Sequence, residues 1–145
     1  MSTLFTIGYE KRTQEHFFSA LENAGITVVV DVRQYPHSRR QGFSKTALRA
    51  NLLSRGIAYY HFPQLGSPPH LRAKLRQTHD YASFFAEFEE YMYTQDTTLQ
   101  ELASLVKNET CCLLCYEKDP EYCHRKLIAS RIQTLDSNGL KVYHL

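Results

Sequence analysis

Eleven consecutive residues, Cys115-Tyr116-Glu117-Lys118-Asp119-Pro120-Glu121-Tyr122-Cys123-His124-Arg125, bring together two thiols, an imidazole, a guanidinium and several carboxylates. A carboxylate such as Glu117 can orient or deprotonate water, or stabilise a cationic transition state as in glycosidic cleavage. His124 can shuttle protons near neutral pH. Cys123 sits by the start of a predicted helix, where a thiol pKa falls. Arg125 lies near the same start and can fork onto a carboxylate or phosphate. Glu117, His124 and Cys123 are therefore the catalytic candidates. Cys115 is a second thiol, on the same strand face as Glu117 because side chains repeat every two residues. Each has a plainer alternative. His124 aligns with Ile128 and Leu135 on a helical wheel and reads also as an inward structural residue. Cys123 reads also as packing, Glu117 as the partner of an arginine, and Arg125 as a solvated helix residue.

A second group lies in the loop from Arg33 to Lys45, which mixes basic, hydroxyl and aromatic side chains. That mixture suits phosphate contacts with a ring stacked nearby. Arg33, Arg39, Arg40 and Arg125 are the expected phosphate ligands. From Val32 to His79 the chain has no Asp or Glu and nine basic residues, whereas Asp80 to Tyr122 holds ten acids and two lysines. A basic face would attract anions; the alternative is that folding pairs the two halves. Cys112-x-x-Cys115 has the spacing of redox and zinc pairs, but an offset of three on a strand puts the thiols on opposite faces. Cys111 and Cys112 are expected to be core thiols, whereas Cys115 and Cys123 can meet across a turn. No closed metal-site spacing, P-loop, dinucleotide fingerprint or nucleophile elbow occurs, so neither metal nor cofactor is expected.

These residues need elements to hold them. Leu4 to Ile7, Ile26 to Val32, Ile57 to Phe62, Cys111 to Tyr116 and Leu140 to His144 read as strands, and their continuous apolar runs suit a sheet covered on both faces. Helices are predicted from Thr13 to Ala24, Ser44 to Arg55, Tyr81 to Tyr93 and Thr98 to Lys107. Another runs from an Asp119 cap with Pro120 at its first position to about Asp136. Pro63 to His79 reads as a long loop with one helical turn at Leu71 to Leu75. Alternating strands and helices imply right-handed crossovers. The expectation is one α/β domain over residues 1–145, three-layered, with a mainly parallel sheet of about five strands and helices on both faces. Ligands in such sheets gather at the strands' carboxyl ends, which here carry Tyr9, Asp31, Arg33, His61 and the 117–125 segment.

The chain has 145 residues, 43% hydrophobic and 22% charged, with a net charge of +2. That composition excludes wholesale disorder, and no apolar run is long enough to span a bilayer. Met1-Ser2-Thr3-Leu4 lacks the features of a secretion signal, so four free thiols and a cytoplasmic location are expected.

The spaced motifs together resemble the domain of unknown function 488 (DUF488) family of small bacterial and archaeal proteins, over nearly the whole chain. They are Thr6-Ile7-Gly8; Val30-Asp31-Val32-Arg33 with Pro36, Ser38, Arg39, Arg40, Phe43 and Lys45; Gly56-Ile57; His61 to Gly66; Leu114 to Glu117; Pro120; and Cys123-His124-Arg125. Tyr9 and Glu10 stand where the family usually carries His and a small polar residue, Gln64 where Glu is common, and Ser67 where a second Gly is common. The resemblance implies a compact α/β domain with its motifs at strand ends and supplies no reaction.

Three functions are open at this point. The first is an enzyme acting on a phosphate-bearing substrate, a nucleotide or nucleic acid, with Glu117 as acid, base or charge stabiliser. The second is a sulfur-transfer or redox enzyme using Cys123 and Cys115. The third is a non-catalytic nucleic-acid-binding module. No membrane partner is expected, and the oligomeric state is not legible.

Overall fold

The computed structural model describes residues 2–136 and 138–145. Its strands are β1 (Thr3–Gly8), β2 (Val28–Asp31), β3 (Ala58–His61), β4 (Cys111–Cys115) and β5 (Lys141–His144). The helices are α1 (Gln14–Asn23), α2 (Lys45–Ser54), α3 (Pro69–Thr78), α4 (Tyr81–Met92), α5 (Asp96–Asn108) and α6 (Arg125–Leu135). All strand pairs are parallel, in the order β3-β2-β4-β1-β5. The expected three-layer α/β architecture is therefore present.

The two-residue period of the strands sorts the core into two halves. Val28, Val30, Cys111, Leu113 and Cys115 pack with Leu71, Phe84, Phe88, Leu99, Leu102 and Ile128 from α3 to α6. Val29, Cys112, Leu114 and Ile7 pack with Phe17, Phe18, Leu21, Leu48 and Leu52 from α1 and α2. Cys112 and Cys115 thus lie on opposite faces, as their spacing requires. β2 and β4 are buried along their whole length, which accounts for their unbroken apolar runs.

Two expected elements need correction. The segment read as a loop after Pro63 contains a full helix, α3. Pro69 occupies its first turn, Leu71 and Leu75 pack inward a turn apart, and His79 closes it in the left-handed region at φ 54°. The helix expected from Pro120 starts instead at Arg125. Asp119 accepts from the Glu121 N–H and caps only a single 3-10 turn, Pro120–Tyr122. Cys123 then adopts an extended backbone (φ −131°, ψ 140°) before His124 opens α6. A smaller difference concerns Ser44. It precedes α2 as expected, but its hydroxyl accepts from the Ser38 N–H rather than from the helix. No helix among the described residues is long and apolar enough to cross a membrane.

Candidate functional site

β1 and β4 are neighbours, yet their following helices leave to opposite faces of the sheet. Such a switch point opens a crevice at the carboxyl ends of the strands. Beyond the ladder, Tyr9 N–H donates to the Cys115 carbonyl and Glu10 N–H to the Tyr116 carbonyl, so the chain past β1 runs against the chain past β4. Gly8 makes this approach feasible, because a Cβ there would lie 1.7 Å from the Glu117 carbonyl oxygen.

One wall of the crevice is built on Asp31. Its carboxylate is fully buried and accepts from Arg33 Nε at 2.9 Å, Arg33 Nη2 at 2.7 Å, the Arg33 backbone N–H at 3.1 Å and the Tyr59 hydroxyl at 2.5 Å. Burial would lower the Arg33 pKa, but the bonds to Asp31 reverse that and raise it. Arg33 Nη1 donates to the Phe43 carbonyl and the Tyr9 hydroxyl, and Tyr9 stacks on Phe43 at 4.7 Å. Arg40 donates to the carbonyls of Tyr9 and Arg12. The 33–45 loop is therefore fastened to the strand ends by its own arginines. His61 ties the base of this wall through Nε2 to the Arg33 carbonyl at 2.7 Å.

The other wall carries the sulfur chemistry. Cys115 Sγ lies 3.5 Å from Glu117 Oε2 and 3.8 Å from His124 Nδ1, and Cys123 Sγ lies 3.9 Å from the same nitrogen. His124 Nε2 faces the Val32 carbonyl at 3.0 Å, and the ring packs edge-on to Phe88 at 5.1 Å. Burial alone would raise the Cys123 thiol pKa. The hydrogen bond from Cys115 and the charges of His124 and Arg125 outweigh it and set that pKa well below the usual thiol range. Cys115, donating to Cys123 and buried, is raised well above it. Burial would depress His124, yet the neighbouring Cys123 charge raises it. Glu117 is pushed up to about 7, first by burial and then by the negative charge on Cys123.

Between the walls lies a cavity of about 440 Å³. Four arginines line it, namely Arg33, Arg39, Arg40 and Arg72, against a single carboxylate, Glu117. Cys115 and His124 also reach it, as do four tyrosines, Tyr9, Tyr35, Tyr116 and Tyr122. Arg33 and Arg40 have most donors engaged. Arg39 is exposed at the rim. Arg72 stacks over the Tyr35 ring and donates to Gln34, while its buried Nε has no hydrogen-bond partner among the described residues.

The structure thus gathers Tyr9, Arg33, Arg39, Arg40, Cys115, Glu117 and His124 around one space. Cys123 lies behind it, and Asp31 and His61 brace it from outside. Arg125, expected as a phosphate ligand, is turned away from the cavity. It is fully buried and donates to Thr6 Oγ1 and to the carbonyls of Glu117 and Lys118. The acid-free stretch is not one uniform phosphate face either. Arg33 pairs with Asp31, Arg55 with Glu22 and Lys74 with Glu87. Arg72 is a site residue that the sequence reading does not single out, although the helical turn expected at Leu71 to Leu75 contains it. Its spacing from Leu71 and Leu75 was the available signal. No curated protein and no solved structure matches the chain. Residues 13–132 of the 145 match the sequence profile described as "Domain of unknown function DUF488", and the chain belongs to that family.

Proposed function

We propose that the cavity binds a phosphate-bearing substrate of nucleotide size and that Glu117 acts on it as acid or base, which makes the protein an enzyme. The observation that carries this reading is a strand-end cavity with four arginines and one carboxylate. Its volume is in the range of small-molecule sites, roughly 300–1,000 Å³. Arg39 and the guanidinium of Arg72 contact the phosphate, while Arg40 supplies positive potential from a fixed position and Arg33, neutralised by Asp31, shapes the wall. Tyr35, exposed beside Arg72, offers a face on which a base can stack. Glu117 orients or deprotonates water, or stabilises a developing cation.

The test is equilibrium binding of labelled mononucleotides and short DNA and RNA across a salt series, followed by a search for turnover on the best ligand. Arg39→Ala and Arg72→Ala should each weaken binding roughly ten- to hundredfold, the worth of a charge-assisted hydrogen bond. Glu117→Gln should bind normally and lose turnover. Turnover at the wild-type rate in Glu117→Gln would remove its catalytic role and leave a binding module.

A second reading, thiol chemistry, is favoured by the convergence of Cys115 and Cys123 on His124 Nδ1. The Cys123 thiolate would attack the outer sulfur of thiosulfate, forming a persulfide and releasing sulfite. Cys123 does not reach the cavity, however, so this attack needs an opening of the wall. An intact mass unchanged after thiosulfate treatment rejects it.

A further inference from the structure

We propose that Cys115, Cys123 and His124 form a binding site for a borderline-soft divalent cation, Zn²⁺ foremost, with two sulfurs and one imidazole nitrogen as ligands and the fourth position open to the cavity beside Glu117. This goes beyond the nucleotide reading and does not depend on it.

Their ligand atoms all lie within 4.8 Å of one another, and all three residues are buried. Tetrahedral zinc, with bonds of about 2.3 Å to sulfur and about 2.0 Å to nitrogen, sets its ligand atoms about 3.6 Å apart. The Nδ1 to sulfur separations of 3.8 and 3.9 Å are within a small adjustment of that value. Two thiolates with an imidazole are the donor set that selects zinc over hard cations.

The histidine provides an independent observation. Nε2 faces the Val32 carbonyl, and a carbonyl can only accept, so Nε2 carries a proton. Once a bound cation displaces the proton from Nδ1, the lone pair of that nitrogen is free, and both sulfurs lie within 3.9 Å of it. An imidazole held by a carbonyl on its far nitrogen is the arrangement metal-bound histidines use. Phe88 fixes the plane of the ring. The site is also electrically reasonable. Two thiolates balance a divalent cation, and buried charges persist when they are paired or bound to metal.

The sequence spacing hid this site. Cys115 ends a strand, whereas Cys123 and His124 come from beyond the 3-10 turn. Cys123 has an extended backbone between that turn and the helix, and its thiol lies with the Cys115 thiol and the His124 ring in one cluster of ligand atoms. Cys115 and His124 border the cavity, which gives a bound cation a side on which a fourth, non-protein ligand can enter. Three protein ligands and one exchangeable position are the pattern of catalytic rather than structural zinc. A water there would lie near Glu117, which can take its proton.

The experiment is a titration of the full chain, purified reduced and metal-free, with Co²⁺ and then Zn²⁺. The expected result is one equivalent of Co²⁺ with thiolate-to-cobalt charge-transfer absorption, displaced by Zn²⁺, and a thermal midpoint that rises with free Zn²⁺. Cys115→Ser and Cys123→Ser should lose the charge-transfer band and at least about tenfold in affinity. Cys112→Ser, on the other face of the sheet, should keep both. Melting of the metal-free variants near the wild-type midpoint separates ligand loss from misfolding. Absence of the band and of the Zn²⁺-dependent rise in the wild type overturns the proposal, as does equal affinity in the Cys115→Ser/Cys123→Ser double variant. Nucleotide binding measured on the same samples keeps the two readings apart. Nucleotide bound without metal overturns only the metal site, and metal bound without nucleotide overturns only the substrate.

Discussion

Gly8 has a demanding position among the residues near the site, although it does no chemistry. Any side chain there collides with the backbone that carries Glu117. Gly8→Ala should cost about 1–3 kcal/mol through overpacking and should also displace the carboxylate. Chemical denaturation and turnover should therefore fall together; a loss of stability with full turnover would show that the floor adjusts without moving Glu117. Asp31 is the opposite case, a buried anion whose loss strands a buried cation. Asp31→Ala should cost about 3–5 kcal/mol, read as a lower denaturant midpoint at unchanged slope. At this scale the sequence was partly legible. Glu117, Cys123 and His124 stand out in the sequence by type and crowding, and the structure brings their side chains together with Cys115. Arg125 is not legible in the same way, because a helical wheel gives a direction and no partner. Its carbonyl acceptors lie in the preceding turn and Thr6 lies on another strand.

Among the elements, the critical junction is the one between β4 and α6. Arg125 holds the intervening turn by its carbonyls, so the first residue of α6 positions the carboxylate that precedes it. Arg125→Met keeps the stem and removes the donors. It should cost roughly 1–3 kcal/mol for the buried acceptors left behind. Hydrogen exchange should accelerate at Tyr116 to Tyr122 while β4 amides stay protected; equal acceleration in both would mean global destabilisation instead. Strands and long helices were readable because their periods are local. The break at Cys123 was not, since Asp119-Pro120-Glu121 is an equally good opening for a 3-10 turn or an α-helix. What decides between them is where Cys123 must point.

For the whole molecule, the alternation of strands and helices announced a parallel sheet but not its order. Order depends on which strand inserts between β1 and β2, and β4 comes from eighty residues further along the chain. That insertion creates the crevice. β4 is buried throughout, whereas β5 is a largely exposed edge strand. Amides of β4 should exchange only through global unfolding and those of β5 through local fraying, and native-state hydrogen exchange measures both. Comparable protection in the two strands would contradict the layered packing.

The tyrosines around the cavity have an optical consequence. The chain contains ten tyrosines and no tryptophan, and four of those phenols border the one space where substrate and cation would sit. Their ultraviolet emission is not masked by indole. Occupancy of the site should therefore be readable in the unlabelled protein as a change in tyrosine fluorescence, with Co²⁺ quenching it and Zn²⁺ leaving it bright.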